Sequence, residues 1–198
     1  MHCKSEGQSL IETMTMLLII SLATAVIVPT FQEFHRQYAL QAAARQIGGL
    51  LIQCRSHAIF HRISTALVFE SQEGCGWRCF IAEDGDGDGV HSDDLERRCD
   101  KIVGEIYQLD IGGAGLGILE GVPDPAGGGA LGGNLDDPIR AGRGNIITFT
   151  PAGTSSSCSI YFTDHRSRMR VLRVLGMTGR VRALEWREGW LTWRRTLV

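Results

Sequence analysis

Nineteen consecutive residues, Leu10 to Val28, carry one charge between them, Glu12, and no other stretch so narrows what the chain can become. At 1.5 Å per residue a helix of that length spans about 30 Å, the thickness of a bilayer's hydrocarbon core. The run is therefore read as a transmembrane helix. A cleaved secretory signal is the rival, because Lys4 supplies a weak basic flank and Ala23-Thr24-Ala25 resembles a small-residue cleavage site. Glu12 decides against it. An ionised carboxylate near the head of an apolar helix costs about 2.5 to 3.5 kcal/mol to insert, so it marks a functional position whose charge something compensates.

Beyond the span the pattern remains helical. Phe31, Phe34, Tyr38, Ala42, Ile47, Leu50 or Leu51, Cys54 and Ala58 recur at three- to five-residue intervals, with Gln32, Glu33, Arg36, Arg45 and Arg55 between them. A helix from Ser9 to about His61 would be roughly 80 Å long, with Pro29 as a kink. After it the hydrophobic period changes from 3.6 to 2. Residues 64–69, 77–82, 101–107, 146–150, 157–163, 169–175 and 181–186 read as β-strands. A long helix laid on antiparallel strands is an α+β fold, and at 198 residues it is one domain with a core plus an added element.

The segment around Glu12 reads Gly7-Gln8-Ser9-Leu10-Ile11-Glu12, with proline twenty-one residues after Gln8. It resembles the class III signal of type IV pilins and type II secretion pseudopilins. The rest of the chain resembles the minor pseudopilins and minor pilins of the GspH/FimT type: a strand pair around an Asp/Gly loop (Trp77 to Arg98), the segment Ile147 to Asp164, and a closing Val171 to Trp186. The resemblance implies a pilin-like fold and a prepilin peptidase that cuts after Gly7 and methylates Gln8. It implies that Glu12 pairs with the free amine of a neighbouring subunit in a filament. The first mature residue in that family is usually phenylalanine, and here it is Gln8.

The expected organisation is then a leader 1–7, a transmembrane helix 8–30, its amphipathic continuation 31–62, and a periplasmic β-rich domain 63–198. The expected location is the bacterial inner membrane, crossed once. Partners are other pseudopilins or pilins, the prepilin peptidase, membrane lipid before assembly, and secreted cargo. The leading expectation is a minor pseudopilin of a type II secretion system, and the alternative is a DNA-binding minor pilin of a type IV pilus for DNA uptake. For the alternative, the resemblance points to Gly179-Arg180-Val181-Arg182, with Arg180 and Arg182 as phosphate contacts. Nine arginines stand between Ile160 and Val198 against Asp164, Glu185 and Glu188, with Trp186, Trp190 and Trp193 among them, which suits a phosphate-contacting surface. An edge strand with solvent-facing arginines reads the same way.

The middle of the chain is acidic, with fourteen acidic and four basic residues from Ile81 to Arg140. Asp84, Asp86 and Asp88 precede Gly89 in the spacing of a calcium loop. The twelfth position, where a bidentate glutamate belongs, is Leu95, flanked by Asp94 and Glu96. The favoured reading is an Asp/Gly hairpin turn, and calcium on Asp84, Asp86, Asp88 and Asp94 is the alternative; no other cofactor is expected. Cys79 and Cys99 flank this loop, so a disulfide between them would brace it, with Cys75 or Cys158 as other partners and Cys54 left over. Residues 111–145 hold ten glycines between Ile111 and Gly133 and read as a surface loop, partly disordered. No enzyme signature emerges: His57 and His61 share a helix face without a third ligand, and Thr154 to Ser157 fits no nucleophile elbow.

Overall fold

A computed structural model of the chain describes residues 10–72, 76–109, 114–127 and 129–197. The chain divides into two units, Met1–His35 and Arg36–Val198. Helix α1 runs Leu10–His61 and contains Pro29. In its first unit the large apolar side chains from Leu10 to Phe34 are exposed. The polar side chains there turn inward on the helix backbone: Thr13 and Thr15 donate to carbonyls three residues back, and Ser21, Thr24 and Thr30 to carbonyls four residues back. A hydroxyl satisfied in this way puts no unpaired polar group on the apolar surface.

In the second unit the same helix is amphipathic. Ala39, Leu40, Ala43, Ala44, Ile47, Leu51, Cys54 and Ala58 form a buried stripe at three- and four-residue spacing. The helix stops where Arg62 takes a left-handed conformation with φ 57°.

Two antiparallel sheets receive this stripe. The first contains β1 (Thr65–Gln72), β2 (Gly76–Glu83), β3 (Lys101–Gln108) and β6 (Ile146–Phe149) in the order β3-β2-β1-β6. The second contains β7 (Cys158–Thr163), β8 (Arg168–Leu175), β9 (Arg180–Arg187) and β10 (Arg194–Thr196), in the order β10-β9-β8-β7. The short β4 (Gly115–Leu116) and β5 (Ile139–Arg140) both pair with β7. Alternate residues of each sheet meet the helix: Leu67, Phe69, Cys79, Ile81, Ile147 and Phe149 from the first, Ile160, Phe162, Leu172 and Val174 from the second. The long helix and antiparallel sheets are thus the α+β arrangement expected.

Each sheet is also covered over part of its outer face, which alternation alone did not announce. A second helix, α2 (Ser92–Arg97), follows the aspartate loop, and Leu95 and Val90 cover Ala66, Val68, Phe80 and Ala82. The expected strand pair around that loop is therefore corrected: the return arm begins at Lys101, because Ser92–Arg97 makes a turn and a half of helix first. The glycine-rich segment is corrected as well. Its described residues bury Val122, Leu131, Ile139 and Ala141, and Val122 and Leu131 pack on Tyr161, Met169, Val171 and Trp186. Residues 111–113 and 128 of that expectation lie outside the described residues.

Candidate functional site

Four places carry the chemistry named from the sequence. Glu12 lies in the first turn of α1 and faces solvent with its apolar neighbours. A carboxylate there complements the positive end of the helix dipole. Gly7 and Gln8 lie outside the described residues.

The aspartate loop braces itself. Asp84 is buried, and its two carboxylate oxygens accept from the backbone N–H groups of Gly87 at 2.7 Å and Gly89 at 3.0 Å. Asp100, also buried, accepts from Gly85 N at 3.0 Å and His91 N at 3.1 Å, which ties the two ends of the loop together. Asp84, Asp86 and Asp88 place oxygens within 4.8 Å of one another. Their crowding shows at Asp88, whose carboxyl is held above the ordinary carboxylate value first by a hydrogen bond with Asp86; the charges of Asp86 and Asp94 push the same way. Asp94 is not in that group. It sits in the first turn of α2, where its main-chain carbonyl accepts from Cys99 and Asp100. Leu95, at the twelfth position, packs on the core beneath. The donor set for a hard cation is thus three carboxylates, three of whose oxygens already serve the backbone, with an apolar side chain where a bidentate ligand belongs.

The bridge expected between Cys79 and Cys99 is not formed in this structure, where both are free. Cys79 points from β2 into the helix-facing core, while Cys99 is exposed beyond α2. The flanking positions in sequence do not put the two sulfurs on one side of the sheet. Cys75 lies outside the described residues.

Arg180 and Arg182 are exposed on β9. Between them Val181 turns toward the helix-facing core, so the two arginines share the opposite face. That face carries a row of polar side chains across four strands, three of them arginines. Arg140 lies opposite Ser159, Ser159 opposite Arg173, and Arg173 opposite Arg182. Arg173 donates to the Pro125 carbonyl and Arg140 lies over the Tyr161 ring at 5.3 Å, so these two are held, whereas no hydrogen bond or ion pair among the described residues holds Arg180 or Arg182. Gly179 before them has a structural duty of its own. Its φ is +59°, and a Cβ there would stand 2.5 Å from the Gly153 carbonyl oxygen and 2.8 Å from Arg55 Nε.

The helix-face histidines join secondary elements rather than a ligand. His57 Nε2 lies 3.3 Å from Glu83 Oε1 and its Nδ1 3.4 Å from Thr65 Oγ1, and its ring stacks on His61 at 4.2 Å. This clamps the end of α1 to β1 and β2. What the sequence did not disclose is the cleft between residues 121–127 with 129–130 and residues 184–193, lined by Trp186, Trp190 and Trp193. The three indoles were visible, but nothing marked the glycine-rich segment as the opposite wall.

Comparison with protein-family models, with curated proteins and with solved structures finds no match to this chain.

Proposed function

We propose that the chain is a membrane-anchored filament subunit of the pilin type, a minor pseudopilin of a type II secretion system. The observation that carries this reading is the division of labour along α1. Its residues from Ala39 to Ala58 bury an apolar stripe in the body, whereas Leu10 to Val28 exposes apolar side chains on every side and contains Glu12. A helix apolar all round is stable only in lipid or against other such helices. In lipid Glu12 is costly, and beside a neighbouring subunit's amine it is compensated. The span is long and apolar enough to cross a membrane.

On this reading prepilin peptidase removes residues 1–7 and methylates Gln8. The helix waits in the bacterial inner membrane with the body in the periplasm, then enters a filament with Glu12 fixing its register. The subunit does no bond chemistry; its body presents a surface to neighbouring subunits or cargo. Glu12→Ala tests this. The variant should reach the membrane at the wild-type level yet fail to crosslink with, or copurify in, the filament. Assembly at the wild-type level would overturn the assignment.

A second reading, DNA binding by a pilus subunit in DNA uptake, is favoured by the arginine row ending in Arg182, with Arg180 beside it. Phosphate contacts would make binding fall with salt, and each lost contact would reduce the slope of log K against log salt by about one. A gel shift with duplex DNA, repeated on Arg180→Ala plus Arg182→Ala, decides it. Salt-sensitive binding lost in the double variant supports uptake, and no shift at low salt removes it.

A further inference from the structure

We infer that the cleft between residues 121–127 with 129–130 and the carboxyl-terminal tryptophans is a saccharide-binding site; the inference does not rest on the filament reading. The cavity is about 640 Å³, within the range of small-molecule sites. One wall is aromatic. The Trp186 indole N–H donates to the Trp190 carbonyl at 2.8 Å and the Trp193 N–H to the Pro123 carbonyl at 2.6 Å, so both rings are fixed with their donors spent. Arg187 and Arg194 lie over the Trp190 ring, 5.2 and 4.1 Å from its centre. The Trp193 ring has no such partner among the described residues and is only half-buried.

The other wall is made of residues too small to close the gap. Main-chain bonds from Asp124 N to Gly129 O and from Leu131 N to Val122 O fold it into a tight hairpin. Gly121, Gly127 and Gly129 have open space where a side chain would begin. The hairpin is anchored at both shoulders, by Val122 and Leu131 in the core and by Trp193 on Pro123, so the cleft is held open by built structure.

The polar groups then choose the ligand. Asp124 spends one carboxylate oxygen on Ala126 N at 2.7 Å and keeps the other, and the Thr192 hydroxyl has no partner among the described residues. Both line the cleft. The site therefore offers flat apolar faces, a carboxylate acceptor at Asp124, and donors at the Thr192 hydroxyl and the Trp190 indole N–H, which no acceptor among the described residues takes up. A proline-rich peptide brings carbonyl acceptors but no N–H for the Asp124 carboxylate, which fits on one count only. A pyranose ring brings an apolar C–H face for the Trp193 ring and hydroxyl donors for Asp124 and Thr192, which fits on both counts.

The test is tryptophan fluorescence of the full chain in a non-glycosidic detergent, titrated with maltotriose, cellotriose and the trimer of N-acetylglucosamine. Decaproline and a ten-nucleotide oligothymidine serve as the competing probes. The expected result is saturable quenching by at least one trisaccharide, weakened at least about tenfold by Trp193→Ala. Ala126→Phe, which fills the cleft from an exposed position without touching the indoles, should weaken it equally. No response to any trisaccharide, a response unchanged in both variants, or a response confined to decaproline or the oligothymidine would overturn the proposal.

Discussion

At the scale of single residues, burial has sorted the cysteines by reactivity. Cys54, Cys79 and Cys158 are buried and free, and Cys99 is exposed and free. Burial pushes the Cys79 thiol up to about 12 and the Cys158 thiol up to about 12; Cys54 rises in the same direction, with the nearby Cys79 adding to the effect. A thiol whose folded pKa is raised holds its proton in the native state after the unfolded chain has lost it. Stability is therefore undiminished below the unfolded value near 8.5 and falls as pH rises through about 12. Two outcomes follow. Iodoacetamide at pH 8 should label Cys99 in the native protein and leave Cys54, Cys79 and Cys158 unlabelled until denaturant is added, as peptide mapping would show. Melting temperature should fall from pH 9 upward less steeply when the three buried cysteines are replaced by alanine or valine. A second residue-scale expectation concerns Asp84. Asp84 is a buried carboxylate that accepts from two backbone N–H groups, and hydrogen bonds to a charged group contribute about 1.5 to 3 kcal/mol, so Asp84→Ala should melt earlier, and by the same amount with and without a calcium chelator. A loss that vanishes in chelator would mean that Asp84 acts through a metal.

At the scale of elements, what the sequence disclosed depended on whether the signal was local. The apolar span and the long strands β1, β2, β7, β8 and β9 are written in local composition and in the period of 2, and they stand within a few residues of their expected places. The helical stripe meets its expectation from Ile47 to Ala58 and is corrected before that: Phe31, Phe34 and Tyr38 are exposed, and the buried positions are Ala39, Leu40, Ala43 and Ala44. Three features were not legible. The two-residue strands β4 and β5 are too short to show a period, and only their pairing with β7 defines them. Helix α2 has no buried residue of its own, so no stripe marked it. The glycine-rich segment holds its place through isolated apolar residues such as Val122, whose partners lie about fifty residues away. The candidate sites divide along the same line. Glu12 was legible because a charge in an apolar run is locally odd, whereas the arginine row needs the register of four strands to exist. The motif Gly179-Arg180-Val181-Arg182 contains both kinds of residue. Gly179→Ala should destabilise by at least about 2 kcal/mol, because it meets left-handed strain and the Gly153 carbonyl together. Arg180→Ala, on an exposed strand position, should stay within about 0.5 kcal/mol. Thermal melts of the two variants separate the turn's structural duty from any role of the arginine surface.

At the scale of the whole molecule, one economy organises the chain. A single helix is given over at one end to the body's core and at the other to an environment the body does not supply. The outer faces of the body are partly covered, by Val90 and Leu95 over part of the first sheet and by Val122 and Leu131 over part of the second. Among what stays exposed are the Arg180 and Arg182 side chains, the aromatic cleft, and Ile102 and Ile106 on β3. A free secreted protein would have no use for Glu12 inside nineteen apolar residues, and a filament subunit would. The most direct measurement is the amino-terminal mass of the protein extracted from membranes of a host that has a prepilin peptidase. The filament account predicts a chain beginning at Gln8 and heavier by one methyl group. A soluble chain beginning at Val26 would contradict it, since cleavage after Ala25 would discard Glu12 together with most of the span.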